Sequence, residues 1–206
     1  METAPTAATV PASAPADRAL AAQAAKGRQE AFRELLKRYE RPVFSLVYRM
    51  VRDRALAEDL SQEAFIRAFK AIGSYNPSYK FSSWMFKIAN NLTIDHLRRK
   101  RIDTVSIHGS PHAVTGEEEA QTRLVIESSE EAPDSYVESQ ELGTQIEQAI
   151  GTLRPEYRTA TLLRHVEGYS YEEIAQIMEL PLGTVKTYIH RARIELKALL
   201  SDVARG

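Results

Sequence analysis

Cysteine is absent from the 206 residues, which excludes a disulfide framework and any thiolate zinc site. That suits a reducing compartment, so the cytoplasm is the expected location. No stretch approaches the roughly 18 consecutive apolar residues of a membrane-spanning helix, so direct membrane insertion is not expected. The first nineteen residues contain Glu2, carry Arg18 as their single base and lack a continuous apolar run, unlike a secretory signal. Gly-rich phosphate loops and nucleophile motifs are missing too. His108 and His112 stand four apart, but in a segment broken by Gly and Pro, and His165 with Glu167 has no further ligand at useful spacing. A hydrolytic or metal-dependent enzyme therefore has little support: no catalytic residue, metal or cofactor is expected.

Excess charge of either sign is also missing, since the net charge is −1. The distribution is not neutral. From Ile102 to Glu141 ten acidic residues face the single Arg123, a local −9 that leaves +8 on the remainder. Two basic modules flank an acidic segment, which keeps nucleic acid open as a partner.

What the chain does have is helical periodicity. Residues 1–16, rich in Ala, Pro and Thr, read as a disordered tail. In 17–101, Phe32, Leu35, Leu36 and Tyr39, then Val43, Phe44, Val47, Tyr48 and Val51, recur at three- and four-residue steps. Asp53 opens a further helix through Ile72, with Leu60, Ala64, Ala68 and Ile72 on one stripe. "GSYNPSYKFSS" (Gly73 to Ser83) reads as a loop, and a helix follows from about Trp84 to Arg101. Residues 102–138 lose the period and form an acidic linker. Helices resume in 139–206 with "SQELGTQIEQAIGTL" and "PEYRTATLLRHVEG". The expected fold is all-α: two small helical domains joined by a flexible acidic linker.

"YSYEEIAQIMELPLGTVKTYIHRARIEL" (Tyr169 to Leu196) then reads as a helix-turn-helix. Ser170 and Glu173 have capping-box spacing, which starts the first helix near Tyr171. Pro181 suits the opening of the second, where Val185, Ile189, Ala192, Leu196 and Leu199 line a buried face. Thr184, Lys186, Thr187, Tyr188, His190, Arg191 and Arg193 lie on the other, combining phosphate-pairing cations with groups able to reach base edges. A solvated face of an ordinary bundle would show the same periodicity. The short turn and the bases gathered on the second helix favour duplex DNA.

Two further stretches narrow the choice. "DLSQEAFIRAFKAI" (Asp59 to Ile72) turns Asp59, Gln62, Glu63 and Arg67 away from its apolar stripe. "FSSWMFKIANNLTIDHLRRKR" (Phe81 to Arg101) joins aromatic residues and paired asparagines to a basic end, which suits stacking on unpaired bases and neutralising a backbone. Trp84, Phe86 and Ile88 serve equally well as core. In this order the three stretches resemble the sigma factors of bacterial RNA polymerase, specifically the extracytoplasmic-function group, and the likeness covers nearly everything after Asp17.

The resemblance implies roles. Asp59, Gln62, Glu63 and Phe65 would dock on core RNA polymerase. Tyr75, Phe81, Trp84, Asn90, Asn91, Asp95, Arg98 and Arg99 would capture the melted minus-ten strand of promoter DNA. The recognition-helix residues would read the minus-thirty-five duplex, although Tyr188 and His190 sit where such positions vary, so base preference does not carry over. An anti-sigma partner is implied as well. The acidic linker would run through the polymerase toward the RNA exit path, where mimicry of nucleic-acid charge is a hypothesis. The competing reading is a two-domain helix-turn-helix regulator that does not dock on core polymerase.

Overall fold

A computed structural model describes the backbone of residues 14–108 and 134–203, and the side chains of 16–100 and 143–201. The linker's acidic run from Glu117 to Glu131, and His112, lie outside the described residues. Helix α1 (Ala14–Ala25) opens with Pro15 in its first turn, where the missing amide costs nothing, and continues in alanine, the strongest helix former. The expected tail thus becomes helix at Ala14. Asp17, only 3% exposed, fixes α1 to the next helix: it accepts from Tyr39 Oη and Arg38 Nη1, each at 2.6 Å.

Helix α2 (Gln29–Val51) buries Phe32, Leu35, Tyr39, Val43, Leu46 and Met50, one stripe at steps of three and four. Arg52 closes it in the left-handed region at φ 57°. Helix α3 (Arg54–Ala71) starts on Asp53, whose carboxylate accepts from the Leu56 amide at 3.0 Å. The expected stripe Leu60, Ala64, Ala68 and Ile72 is buried. A 3-10 turn (Ile72–Ser74) leads through a loop into α4 (Phe81–His108). That helix begins before Trp84 and outlasts Arg101 because nothing in "IDTVSIH" breaks a helix until Gly109. Likewise α5 (Asp134–Thr152) starts inside the expected linker, directly after Pro133. Helices α6 (Pro155–His165), α7 (Tyr171–Met178) and α8 (Leu182–Val203) complete the described residues, all of them helix, turn or loop.

The two helical units do not stand apart. One apolar cluster runs from Leu35 and Met50 on α2 through Met85 and Phe86 on α4 to Leu162, Ile174 and Val185 of the second unit. Each large side chain buried there contributes roughly 1.5–3 kcal/mol. Phe86 meets Tyr169 edge to face at 5.7 Å. Beside this seam lies Arg158 on α6. Its guanidinium donates to the carbonyls of Met50, Gly151 and Leu153, closing the end of α2 and the end of α5 together. Burial first, and Arg52 second, lower its pKa to about 10, so it stays charged at neutral pH. Arg52 in turn donates to the Glu147 carbonyl at 2.5 Å.

Arg158→Ala strands those three carbonyls and should cost about 2–4 kcal/mol. Urea denaturation measures this, and Arg158→Lys, which lacks the planar fork, should recover only part of the loss.

Candidate nucleic-acid interface

The helix-turn-helix is built locally. Ser170 Oγ accepts from the Glu173 amide at 3.2 Å, and Glu173 Oε2 accepts from the Ser170 amide at 2.9 Å, the reciprocal cap expected from the spacing. Glu179 ends α7 with φ 54°. The Leu180 amide then reaches the Ala175 carbonyl at 3.0 Å, and the Pro181 carbonyl accepts from Thr184 at 2.9 Å and Val185 at 3.2 Å. Val185, Ile189 and Ala192 are buried and hold α8 in place. Leu199 is not core as expected: it is 37% exposed, because α8 outruns the helices beneath it.

On the outer side of α8, Lys186, Thr187, His190, Arg191 and Arg193 are exposed. Thr184 and Tyr188 are half-buried, and the Tyr188 ring packs on Tyr157 at 5.1 Å. Arg191 Nη1 donates to Tyr157 Oη at 3.2 Å, which holds the guanidinium across the same ring pair and raises its pKa. Thr187 donates to the Gly183 carbonyl at 2.9 Å, so its oxygen keeps a lone pair facing outward.

The loop before α4 is ordered by its own chemistry. Asn76 Oδ1 accepts from the Ser78 amide at 2.9 Å across Pro77, and Tyr75 Oη donates to the Tyr79 carbonyl at 2.7 Å. Phe81 centres an aromatic cluster, 5.3 Å from Tyr39, 5.5 Å from Tyr75 and 5.6 Å from Trp84. Two expected strand-binding residues need correction here. Phe81 and Asn90 are 2% and 3% exposed, so they support the surface from within. Phe81 starts the helix with its ring turned to α2, and Asn90 falls on the inward face of α4. Tyr75, Trp84 and Asn91 are half-buried, while Asp95, Arg98 and Arg99 are exposed.

On α3, Asp59 and Gln62 are exposed and Glu63 is half-buried, with its carboxylate 2.8 Å from Arg67. Phe65 is buried, and with Gln62 it lines an open groove of about 920 Å³. Phe32, Phe44, Ile66 and Phe69 form the groove's apolar wall. Ile66 and Phe69 are each 48% exposed. The sequence reading missed both, although Gln62, Ile66 and Phe69 follow a second helical stripe.

Lys80 and Lys87 were missed as well. Lys87, Asn91 and Arg98 fall on one face of α4, and Lys80, the residue just before it, continues the row, at steps of seven, four and seven. That face meets the second unit. Lys80 lies 2.6 Å from Glu173, Lys87 lies 2.8 Å from Glu179, and Arg98 lies 3.8 Å from Glu156. Asn91 Nδ2 donates to Glu179 Oε2 at 2.9 Å. On α2, Arg49 lies 3.7 Å from Glu147. Burial alone would raise Glu173, but the hydrogen bonds from Lys80 and Ser170 outweigh it and hold it below its ordinary value. Hydrogen bonds from Lys87 and Asn91 do the same for Glu179.

A scaffold with these two faces matches a known class. The description "Sigma-70 region 2" fits residues 35–102, and "Sigma-70, region 4" fits residues 143–196. The chain belongs to the sigma-70 family of RNA polymerase sigma factors. Within it, the chain belongs to the extracytoplasmic-function group. It is 39% identical over 181 residues to the ECF RNA polymerase sigma factor SigW of Bacillus subtilis strain 168, covering 88% of this chain and 95% of that one. The solved structure of CnrH in complex with the cytosolic domain of CnrY superposes with a TM-score of 0.63 at 25% identity, covering 91% of this chain and 98% of that one. The sigma factor RpoE of Bartonella quintana, solved with the anti-sigma factor NepR, gives 0.60 at 22% identity, covering 82% and 96%; it shares the fold. Among the described residues, no helix is long and apolar enough to cross a membrane.

Glu167, in the bend between α6 and α7, supplies a pH test of the seam. Burial pushes its carboxyl up to about 7, against the opposing charge of Arg49, and Oε2 has no hydrogen-bond partner among the described residues. A raised carboxyl holds its proton more tightly in the folded state. Its favourable contribution is therefore complete below about pH 4.5 and fades as pH rises to about 7. Glu167→Gln stays neutral, so its stability relative to the parent should climb across that window and then level off. The gain should be about 1–2 kcal/mol, since water on one side screens part of the effect. Paired thermal melts at pH 4.5 and 8 read it directly.

Proposed function

We propose that this chain is a promoter-specificity subunit: it binds core RNA polymerase, reads the minus-thirty-five duplex with α8 and captures the melted minus-ten strand along the loop and α4. Catalysis belongs to the polymerase, and this chain supplies recognition only. The setting is the cytoplasm, and an anti-sigma factor is the proposed regulatory partner, by likeness to relatives solved as complexes. Exposed Lys186, Arg191 and Arg193 pair with phosphates while Thr187 and His190 approach base edges. Tyr75 and Trp84 offer stacking surface, and Arg98 and Arg99 neutralise the strand's backbone.

The observation that favours this over a stand-alone DNA-binding regulator is the apolar groove beside Gln62 and Phe65. An open apolar wall on the unit away from the reader helix is a protein-docking surface of the kind that a subunit working only inside a larger enzyme needs. Asp59, Gln62 and Glu63 form the polar margin of the contact and Phe65, Ile66 and Phe69 its centre, as in interfaces generally.

Changing Gln62 and Ile66 together to Ala should leave the helical circular-dichroism signal and the melt nearly intact, as surface changes shift stability by about 0.5 kcal/mol or less. Titration of labelled core polymerase should nevertheless show affinity down roughly ten- to hundredfold. Equal affinity of a folded double variant would remove the groove from the interface, and no binding by the parent would promote the regulator reading. Arg191→Ala should weaken binding of the holoenzyme to its upstream duplex element and reduce the salt slope by about one.

A further inference from the structure

Tyr157 lies outside the helix-turn-helix, yet two side chains on the outer face of α8 meet it. It stands in the first turn of α6, two residues after Pro155. Only 6% exposed, it packs with Leu153 and Ala192 in a small apolar cluster of its own. The Tyr188 ring leans on the Tyr157 ring at 5.1 Å and 51°. Arg191, three residues on from Tyr188 and its neighbour on that helix face, donates from Nη1 to Tyr157 Oη at 3.2 Å. Tyr157 is itself held from behind. The next residue, Arg158, donates to the carbonyls of Met50, Gly151 and Leu153, so the first turn of α6 cannot shift without breaking those bonds.

An arginine side chain loses much rotamer freedom when a phosphate immobilises it, and one already laid across a ring pair loses less. Phosphate contacts also fix the register of a reader helix on the duplex, which lets neighbouring side chains read base edges. The geometry points to Tyr157 as a positioning residue of the duplex reader: its hydroxyl holds Arg191 and its ring holds Tyr188, so that one phosphate contact is preset and Thr187 and His190 meet the base edges in a single register. Tyr157 has this part only if α8 reads duplex DNA, and it extends that reader to a third helix, α6. It need touch no DNA itself. The charge stays on Arg191, and what Tyr157 contributes is where that charge stands.

Tyr157→Phe separates the hydroxyl from the ring, because the phenyl group keeps the packing against Leu153, Ala192 and Tyr188. Holoenzymes assembled with the parent chain, Tyr157→Phe, Arg191→Ala and the double variant are titrated, over a salt series, against two fluorescent duplexes. One is enriched by the parent holoenzyme from a randomised library, and the other is its scrambled counterpart. Tyr157→Phe should lower affinity for the enriched duplex about fivefold and for the scrambled one less than about twofold, with an unchanged salt slope, since no charge is lost. Arg191→Ala should lower both the affinity and, by about one, the slope. In the Arg191→Ala background Tyr157→Phe should add almost nothing, because the group it positions is gone. Equal losses on the two duplexes, or the same loss with and without Arg191, would make Tyr157 a packing residue and overturn the proposal. No loss from Tyr157→Phe while Arg191→Ala weakens binding would also overturn it, yet would leave α8 as the reader. If Arg191→Ala changes neither affinity nor slope, the phosphate contact proposed for Arg191 falls together with the positioning of it.

Discussion

A half-buried guanidinium that answers three backbone carbonyls ties the two helical units together. Arg158 reaches Met50 at the end of α2 and both Gly151 and Leu153 at the end of α5. A helix end leaves its last carbonyls without partners, and burying such groups unanswered costs more than most side-chain contacts return. One side chain answers two helix ends, so neither unit settles into its packing independently of the other. Gly151 marks how close this approach is, since a β-carbon there would lie 2.3 Å from Arg52 Nη1.

With the units tied at α2, the rest of the seam falls along α4. Its inward face, with Met85, Phe86 and Ala89, belongs to the common core. Its basic stripe lies against the acidic side of α7. The same helix therefore packs the common core with one side and holds carboxylates of the second unit with the other. α8 is organised the same way around Val185, Ile189 and Ala192, with its cations outside.

Much of this was legible in the sequence. Periodicity located α2, α3 and the helix-turn-helix, and the Ser170 and Glu173 spacing gave the start of α7, because helix signals are local. The ends of α4 and α5 were misplaced because the linker was drawn over all of 102–138, where the apolar period fades, whereas α4 runs on to His108 and α5 starts at Asp134, beside Gly109 and Pro133, the first and last of the Gly and Pro residues in that segment. Phe81 and Asn90 were assigned to the strand-binding surface through the resemblance. Which face of α4 looks inward depends on α2 and α7, and a single-helix pattern does not contain them. The groove at Ile66 and Phe69 stayed hidden for a related reason. An α3 apolar on two faces reads as one wide core face until the structure shows that no described residue covers the second.

The claim at the centre of this account is that the chain works as a polymerase subunit. Its most direct test is transcription by purified core polymerase on fragmented genomic DNA of the host, with and without the chain, with RNA 5′ ends mapped. The account predicts chain-dependent transcripts from a limited set of starts that share a pair of upstream elements at fixed spacing. A chain that binds duplex DNA but yields no chain-dependent transcript with core polymerase would contradict it.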